Sequence, residues 1–401
     1  MSLRTAGTTV NFTHDAAGRE TRRTIGSLAL TQSWDANHRL LSQVLTAGPA
    51  TSGTGSGVPD LVAHRAYRYR ADGYLTGVAD QLTGERRLEL DRAGRITAVR
   101  ATEWTERYAY DEAGNVTSAS WPDADHGGAA RGEREYSGTL IRRAGDVRYE
   151  HDAAGRVVLR QVKQRSTKPL TWRYTWDSED RLMVVTKPDG TRWRYRYDAL
   201  GRRVAKQRLD AGGDVVEQID FAWDGPRLIE QTHLSADGYR TSTWEYAPDT
   251  FIPISQTDAL TGQDEVDRRF YAIVSNLVGT PTELVSPDGE IVWQQRTTIW
   301  GTPTHVSATG TDCPLRFPGQ IHDPETGASY NYHRFYDPET SRYTSTDPLG
   351  LAPGPNPHLY VTNPVQEFDP LGLAPGDYSE IKRVSELAFK AGLRTTPPAY
   401  S

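Results

Sequence analysis

The sequence predicts a mainly β fold in which β-hairpins stack into one coiled sheet. A short motif with a tight turn returns about every 20 residues through much of the chain. The stretches between these turns alternate apolar and polar residues with a period of two, which is the pattern of half-buried strands. The aromatic residues are 20 Tyr and 10 Trp against only 8 Phe, and flat side chains with a polar tip suit such strands.

The repeated motif is an aromatic residue, His or Leu, then Asp, two small or polar residues, Gly, and Arg or Asn. Asp accepts a hydrogen bond from a backbone amide two residues on, and Gly supplies a positive φ, so Asp-x-x-Gly forms a tight turn. A strand on each side of every turn gives one hairpin per repeat. Clear copies are His14–Arg19, Leu90–Arg95, Tyr110–Asn115, His151–Arg156 and Tyr197–Arg202, and looser copies begin at Trp34, Tyr69, Trp176 and Trp223.

The strand pattern continues beyond the clear repeats. Residues 240–312 keep the alternation but lose the Asp-x-x-Gly turn, so we expect more of the same sheet there. The prediction is therefore a shell of stacked hairpins over residues 1–312. The segment Thr51–Gly57 contains only Thr, Ser and Gly, which predicts a surface loop or linker.

Two copies of the tetrapeptide Asp-Pro-Leu-Gly begin at Asp347 and Asp369. Pro keeps each aspartate out of a helix, and Asp-Pro-x-Gly is the residue order of a type I turn, so a plain turn is one interpretation. The same interpretation applies to Asp323-Pro324 and Asp337-Pro338. In the second interpretation, the fold brings the carboxylates of Asp347 and Asp369 together. Close carboxylates share a proton, so one can act as a general acid and the other as a general base.

The segment that contains these motifs resembles the terminal core of RHS/YD-repeat proteins, a family that includes bacterial polymorphic toxins and the C component of insecticidal toxin complexes. The resemblance is carried by Leu315–Gly327, by Tyr330–Tyr343 and by the Asp-Pro-Leu-Gly pair, and the repeat described above is the YD repeat. It implies a β-cage that encloses a C-terminal effector and cuts its own chain after Asp-Pro-x-Gly-Leu. The implied cut lies between Leu373 and Ala374, and Pro364 stands at the family's position upstream.

The resemblance also implies the residues of a cleavage site. In the family an upstream arginine supports the aspartate pair, and Arg334 is the position matched to it, with Arg342 as the second choice. The implied catalytic residues are therefore Asp347, Asp369 and Arg334, acting as a single-turnover aspartyl self-cleaving peptidase without an external substrate. A guanidinium close to a carboxylate favours its charged form and orients it. Because the cut bond belongs to the same chain, the entropy cost of binding a substrate is largely absent.

The resemblance divides the chain into the shell of residues 1–312, a core segment of residues 313–373 and the start of a variable toxin region at 374–401. We expect the chain to be a C-terminal piece of a longer protein, with a toxin region that is either truncated or a vestige and that contains one amphipathic helix between Asp377 and Gly392. The implied partners are the chain's own effector inside the shell, a secretion or toxin-complex partner, and an immunity protein. No signal peptide is found, so secretion or cell-surface display would depend on the parent protein.

Composition argues against several other classes. The net charge is −6 without any block of like charge, which argues against a nucleic-acid surface, and no apolar run is long enough for a transmembrane helix. The single cysteine, Cys313, has no disulfide partner and no zinc-ligand spacing around it, so we expect a buried or idle thiol and neither a metal nor another cofactor.

Two other functions remain to be weighed against self-cleavage. The alternative from a different class is a non-catalytic structural or adhesive repeat protein that binds cell-surface partners or glycans through its aromatic faces. That alternative predicts a chain that stays intact. A conventional hydrolase with an outside substrate has no supporting motif in the sequence.

Overall fold

The computed structural model describes residues 2–5, 8–48, 59–122, 128–165, 167–235, 238–261 and 266–375. These residues form 31 β-strands and no helix. The loop predicted at Thr51–Gly57 and the helix predicted between Asp377 and Gly392 lie outside the described residues. Within the described ranges, no helix has the length and apolar character needed to span a membrane.

The strands follow one another with short connections. Strands β1 to β10 are Ser2–Thr5, Thr8–His14, Glu20–Ile25, Leu28–Trp34, Leu40–Ala47, Asp60–Tyr69, Leu75–Asp80, Gly84–Leu90, Ile96–Arg100 and Thr105–Tyr110. Strands β11 to β20 are Val116–Ser120, Gly132–Ser137, Leu140–Ala144, Val147–His151, Val157–Val162, Leu170–Trp176, Leu182–Thr186, Arg192–Tyr197, Arg203–Leu209 and Val215–Asp224. Strands β21 to β31 are Arg227–Ser235, Gly238–Tyr246, Pro253–Thr261, Val266–Ser275, Pro281–Val285, Ile291–Thr297, Pro303–Ala308, Ile321–His322, Ser329–Asn331, Arg334–Asp337 and Arg342–Tyr343.

The first 27 strands form one sheet, in which each strand from β1 to β26 pairs antiparallel with the next strand in the chain. The last four strands form a separate antiparallel sheet. The predicted architecture of successive hairpins in one sheet is confirmed, and so is the continuation of the sheet through residues 240–308 by strands β22 to β27.

Several repeat turns bind the next one through the arginine of the motif. In the first clear copy, Asp15 Oδ1 accepts hydrogen bonds from the amides of Ala17 and Arg19 at 2.9 and 3.0 Å. Arg19 Nε donates to Asp15 Oδ2 at 2.7 Å, while Arg19 Nη1 donates to the backbone carbonyl of Asp35, in the following turn, at 2.7 Å. Arg95 and Arg156 make the same bonds at their turns. The motif's arginine therefore fixes the spacing between hairpins.

The aromatic residue of the motif also joins neighbouring hairpins. Tyr197 Oη donates to the backbone carbonyl of Leu182 at 2.8 Å, and Trp176 Nε1 donates to that of Val157 at 2.8 Å. The register of the strand pair shifts at each of these two aromatic residues. Such a β-bulge bends its strand and increases the local twist. A bulge in each repeat hairpin accounts for the coiling of the sheet.

The coil brings its early strands against its late ones. Val10 and Ile25 of β2 and β3 share a buried cluster with Ile254 and Val274 of β23 and β24. A buried ion pair supports the same contact, since Arg65 of β6 binds Glu283 of β25 at 2.5 Å and Asp80 of β7 at 2.8 Å. Side chains of the early strands therefore contact side chains of the late strands across the coil.

The core segment, residues 313–373, fills the interior that the coil encloses. Aromatic rings make this contact at several places along the sheet. The ring of Phe335 lies 6.3 Å from that of Trp176 and 5.9 Å from that of Tyr195. Further along, the buried residues Tyr336, Tyr343 and Tyr360 belong to one cluster with Tyr108, Tyr149 and Trp300 of the sheet.

Two copies of Asp-Pro-Glu-Thr fasten the core segment to the sheet. The first begins at Asp323, which forms the predicted turn and also binds Arg203 and Lys206 of β19, with Lys206 Nζ at 3.0 Å from Oδ1. Glu325 accepts from Lys206 at 3.0 Å and from Tyr195 at 2.8 Å. These side chains are buried, so the first copy is a turn with a second, electrostatic role that its residue order did not predict.

The second copy begins at Asp337 and repeats the arrangement on other strands. Asp337 Oδ2 accepts from Tyr149 of β14 at 3.2 Å, and Glu339 pairs with Arg160 of β15. Arg134 of β12 donates to the backbone carbonyl of Glu339 at 2.6 Å. The core segment is thus held by buried charges on two separate parts of the sheet.

We expect the substitution Asp323→Asn to lower the free energy of unfolding by about 3–5 kcal/mol, because it leaves the buried cations of Arg203 and Lys206 without their shared carboxylate. The matched control is Glu150→Gln, which removes an exposed ion pair with Arg148 and should change stability by less than about 1 kcal/mol. Urea denaturation of both variants measures the difference. Equal losses in the two variants would contradict the role assigned to the buried pair.

Candidate active site

Arg334 stands at the centre of the site that the sequence predicted. It begins β30 directly after a tight turn in which Asn331 of β29 pairs with Arg334 across Tyr332 and His333. Tyr332 has a φ of 52°, in the left-handed region that residues with a Cβ rarely adopt. The amide of His333 donates to the backbone carbonyl of Leu371 at 3.1 Å. This strained turn therefore presents Arg334 to the second Asp-Pro-Leu-Gly copy.

The guanidinium of Arg334 is buried and contacts both aspartates. Its Nη2 lies 2.7 Å from Asp347 Oδ2 and 3.4 Å from Asp369 Oδ2. Because both oxygens contact the same nitrogen, they lie no more than about 6 Å apart. Nε donates to the carbonyl of Gly372 at 2.6 Å, and Nη1 donates to that of Pro357 at 3.0 Å. One arginine thus joins the two carboxylates and the backbone near the implied cut.

Asp347 and Asp369 are both buried, at 7% and 0% exposure, but their surroundings differ. Asp347 Oδ1 accepts from the amide of Leu349 at 2.8 Å, and the amide of Gly350 donates to the Asp347 carbonyl at 2.9 Å, which closes the predicted turn. Asp369 Oδ1 accepts from the amides of Leu371 and Leu373 at 3.3 and 3.0 Å. Each Asp-Pro-Leu-Gly copy therefore folds around its own aspartate.

Burial raises the pKa of Asp347 to about 6. The cation of Arg334 and the amide of Leu349 oppose this rise, while the nearby Asp369 adds to it. A carboxyl group that carries a proton near neutral pH, beside a second carboxylate, is the arrangement from which a general acid and a general base can be built.

The backbone is held by hydrogen bonds on the N-terminal side of the implied cut. Gly372 offers its carbonyl to Arg334, and the amide of Leu373 is bound to Asp369, so both ends of the peptide group before the implied bond are fixed. The Leu373 side chain is fully buried in an apolar cluster with Phe251, Leu371 and three partly buried neighbours. Ala374 is half-buried and Pro375 is exposed. The implied cleavage bond lies where the chain leaves the interior.

The second candidate arginine, Arg342, lies elsewhere. Its Nη1 is 3.4 Å from Asn115 Oδ1, its Nη2 donates to the carbonyl of Thr139, and its guanidinium lies over the ring of Tyr136. It makes no ion pair with either aspartate in the described part of the chain. The structure therefore brings together Asp347, Asp369 and Arg334. Arg342 instead contacts residues between and within the strands of the large sheet.

Two residues of the site were not among the sequence candidates. Tyr343 Oη donates to Asp369 Oδ2 at 2.7 Å, and the guanidinium of Arg334 stacks on the Tyr343 ring at 3.6 Å. Asn331 Nδ2 lies 2.8 Å from Tyr343 Oη and 2.7 Å from the Asp369 carbonyl. Both stand in the segments that carry the family resemblance, but no local pattern marks them, because their contacts with Asp369 are distant in sequence.

Other groups lie outside this site. Cys313 is buried, and burial raises the pKa of its thiol to about 12, which agrees with an unreactive thiol. No cluster of His, Cys, Asp or Glu suited to a metal ion occurs among the described residues. A cavity of about 290 Å³ is lined by the buried charges of Arg65, Asp80 and Glu106, but neither aspartate of the pair nor Arg334 reaches it.

Comparison with known proteins gives matches over most of the chain. The Teneurin YD-shell family matches residues 89–352. The probable deoxyribonuclease RhsA of Dickeya dadantii is 34% identical over 370 residues, covering 90% of this chain and 24% of that protein. Double-stranded DNA deaminase toxin A of Burkholderia cenocepacia is 33% identical over 382 residues, covering 88% of this chain and 25% of that protein. The chain thus spans about a quarter of these relatives.

Among solved structures, the crystal structure of TcdB2-TccC3 matches with a TM-score of 0.48 and 17% identity, covering 91% of this chain and 22% of that one. Toxin protein Tse5 of Pseudomonas aeruginosa is a further relative, 32% identical over 352 residues, with 75% of this chain and 26% of that protein covered.

We expect Gly372→Ala to be much more destabilising than Gly350→Ala, although the two glycines occupy the same place in the two Asp-Pro-Leu-Gly copies. Their φ angles are 68° and 65°, so alanine is strained at both, by about 1–2 kcal/mol. At Gly372 a Cβ would also lie 2.5 Å from the carbonyl oxygen of Asn331, whereas nothing lies within 4 Å at Gly350. Urea denaturation and limited proteolysis near residue 374 measure the effect. Similar losses in both variants would contradict the tight docking of the second copy.

Proposed function

The chain belongs to the YD-shell family of RHS/YD-repeat proteins, and we propose that it is the part of a toxin shell that cuts its own backbone after Leu373. The whole protein would enclose a C-terminal effector in its shell, and one cut per chain would release the effector from it. The sequence matches with Rhs proteins and toxins support the shell context.

The observation that carries the proposal is the position of Arg334. Its guanidinium contacts both Asp347 and Asp369, inside the protein, and also binds the Gly372 carbonyl next to the proposed cut. A plain surface turn needs no such burial, which is costly for charged groups unless they are paired. The turn interpretation and the catalytic one are compatible, since the chain turns at the first copy and bends at the second, and both copies direct a carboxylate at the same cation.

The proposed reaction is hydrolysis of the peptide bond between Leu373 and Ala374. The ionised member of the aspartate pair takes a proton from water as the water oxygen bonds to the Leu373 carbonyl carbon. The protonated member gives its proton to the amide nitrogen as the carbon–nitrogen bond breaks. The products are a carboxyl group on Leu373 and an amino group on Ala374. The bonds from Arg334 and Asp369 to the adjoining peptide group hold the chain in place for attack.

The relatives support a division of labour between this region and the effector. Their names specify different activities, among them a deoxyribonuclease and a DNA deaminase, yet they share this region at similar identity. We therefore assign toxicity to the effector and enclosure with release to this chain. The proposed partners are the effector itself, a secretion or toxin-complex partner and an immunity protein, and the proposed location of the parent protein is outside the cell or on its surface.

The second candidate is the structural or adhesive repeat protein. The exposed aromatic side chain of Tyr239 on β22, at 52% exposure, is of the kind through which such a protein would bind a partner. It predicts an intact chain, so the experiment below separates the two functions.

We expect Asp347→Asn, Asp369→Asn and Arg334→Ala each to slow self-cleavage by at least ~100-fold, because each removes a proton donor, a proton acceptor or the cation that orients them. Intact mass under denaturing conditions, measured on freshly expressed protein, separates the cut chain from the uncut one and locates the cut. The matched control is Asp288→Asn, in an exposed turn, which should process normally. Cleavage at the same bond in both aspartate variants would exclude the aspartate pair as the catalytic centre. A chain without substitutions that stays uncut would favour the structural or adhesive function.

The rate of cleavage should depend on the protonation of Asp347, whose pKa is raised to about 6. If Asp347 supplies the proton, the rate should fall about tenfold per pH unit above roughly 6, as the protonated fraction declines. Protonated Asp347 also favours the folded state, because its pKa in the fold lies above the ordinary value of 3.8. This contribution to the free energy of unfolding is complete below about pH 4 and is lost as the pH rises through 6. Refolding of uncut, denatured chain into buffers of different pH, followed by mass, measures the rate. A rate that stays constant from pH 5 to 8 would contradict this role.

A further inference from the structure

Among the described residues, Asp369 and Asp347 are both contacted by donors only, but Asp369 has four of them and Asp347 has two. Both oxygens of Asp369 face donors only: the amides of Leu371 and Leu373 at Oδ1, and Tyr343 Oη with Arg334 Nη2 at Oδ2. A carboxyl group that carries a proton needs an acceptor for it, whereas an ionised carboxylate accepts only. The contacts of Asp369 are those of a carboxylate.

The direction of the bond from Tyr343 follows from its other neighbour. Asn331 Nδ2 lies 2.7 Å from the backbone carbonyl of Asp369, which can only accept, so the amide nitrogen of Asn331 faces it as a donor. The same nitrogen lies 2.8 Å from Tyr343 Oη and donates there too. The hydroxyl of Tyr343 therefore accepts from Asn331, and its own proton points at Asp369 Oδ2.

The Tyr343 phenol is suited to this task because it keeps its proton. Burial and the negative charge of Asp369 raise the pKa of Tyr343 well above its ordinary range. Its ring is also fixed, since it packs against Tyr336 and Tyr360 on one side and under the Arg334 guanidinium on the other. The phenol is a permanent donor at a fixed position.

We propose that Tyr343 and Asn331 are positioning residues that hold Asp369 as the ionised base of the pair and leave the proton on Asp347. The inference rests on the proposed function and gives the two aspartates separate roles. Asp369, held by Tyr343, accepts the proton of the attacking water, and Asp347, which has no such donor beside Arg334 and Leu349, supplies the proton to the leaving amide. The charged or titratable groups that interact with Asp369 are Arg334, Asp347, Tyr343 and Tyr360.

The test compares Tyr343→Phe with Tyr336→Phe. The first variant keeps the ring under Arg334 and removes the hydroxyl. The second removes a similar buried hydroxyl, which donates to the carbonyl of Trp300 at 2.8 Å and touches neither aspartate. Loss of a hydrogen bond to a charged group should slow Tyr343→Phe about ten- to hundredfold. It should also move the acidic limb of the pH–rate profile to higher pH, because the ionised form of the pair loses a hydrogen-bond donor. Tyr336→Phe should keep the wild-type profile.

Several results would overturn the inference while leaving self-cleavage in place. One is a Tyr343→Phe variant that cuts at the wild-type rate with the wild-type profile. Another is a loss of rate that is equal at every pH and equal in Tyr336→Phe, because that result would make the phenol a packing residue. Asn331→Ala should shift the acidic limb in the same direction, and a shift in the opposite direction would contradict the assigned orientation of the hydroxyl.

If the wild-type chain does not cut, self-cleavage itself fails, and hydrogen exchange decides the positioning role separately. In the uncut chain the amides of Leu371 and Leu373 bind Asp369 Oδ1. Faster deuterium uptake by the peptide 369–375 in Tyr343→Phe than in Tyr336→Phe would support a role for Tyr343 in holding Asp369. Equal uptake in the two variants would overturn it.

Discussion

The structure depends on hydrogen bonds that run from one hairpin to the next. In each, a side chain of the repeat donates to a backbone carbonyl of a neighbouring hairpin, as Arg19 does to Asp35 and Tyr197 does to Leu182. These bonds account for the composition. Phe could fill the aromatic position of the motif equally well by volume, but only Tyr and Trp can donate, and the chain has far more of both than of Phe. Because the aromatic residue also lies at a bulge, the same position fixes the spacing and the bend of the sheet.

A sheet that coils in this way encloses an interior. Charged side chains that are buried there need partners. Charges taken out of water must be paired and hydrogen-bonded. Two sets of oppositely charged residues accordingly join the core segment to the sheet: Asp323 with Arg203 and Lys206, and Glu339 with Arg160. In both sets the acid belongs to the core segment and the cation to the sheet. In the set around Arg334 all three charges belong to the core segment, and two acids share one cation. Burial raises the pKa of Asp347, and the neighbouring Asp369 adds to this rise.

The parts of the fold that could be predicted from the sequence are those governed by local rules. Asp-x-x-Gly gives a turn wherever it occurs, and alternation gives strands, so the stacked hairpins followed directly. The turn at Asp323 was also predictable, but its buried partners are not, because Arg203 lies 120 residues earlier and nothing in its neighbourhood marks it as the one that faces inward. Tyr343 and Asn331 were missed for the same reason. Arg334 was preferred to Arg342 by resemblance, and only the three-dimensional arrangement distinguishes the two in physical terms.

The docking of the core segment on the sheet determines when the proposed cut can happen. Arg334 reaches Asp347 and Asp369 only because the β29–β30 turn is docked, with Tyr330 and Phe335 against aromatic residues of the sheet. Without the coiled sheet, the three charges would face water, where an aspartate is ionised and a shared proton is lost. Burial is therefore a condition for the chemistry as well as for stability. A site of this kind would stay inactive in the unfolded chain and would begin to act when the interior closes, so that the cut would follow assembly of the shell.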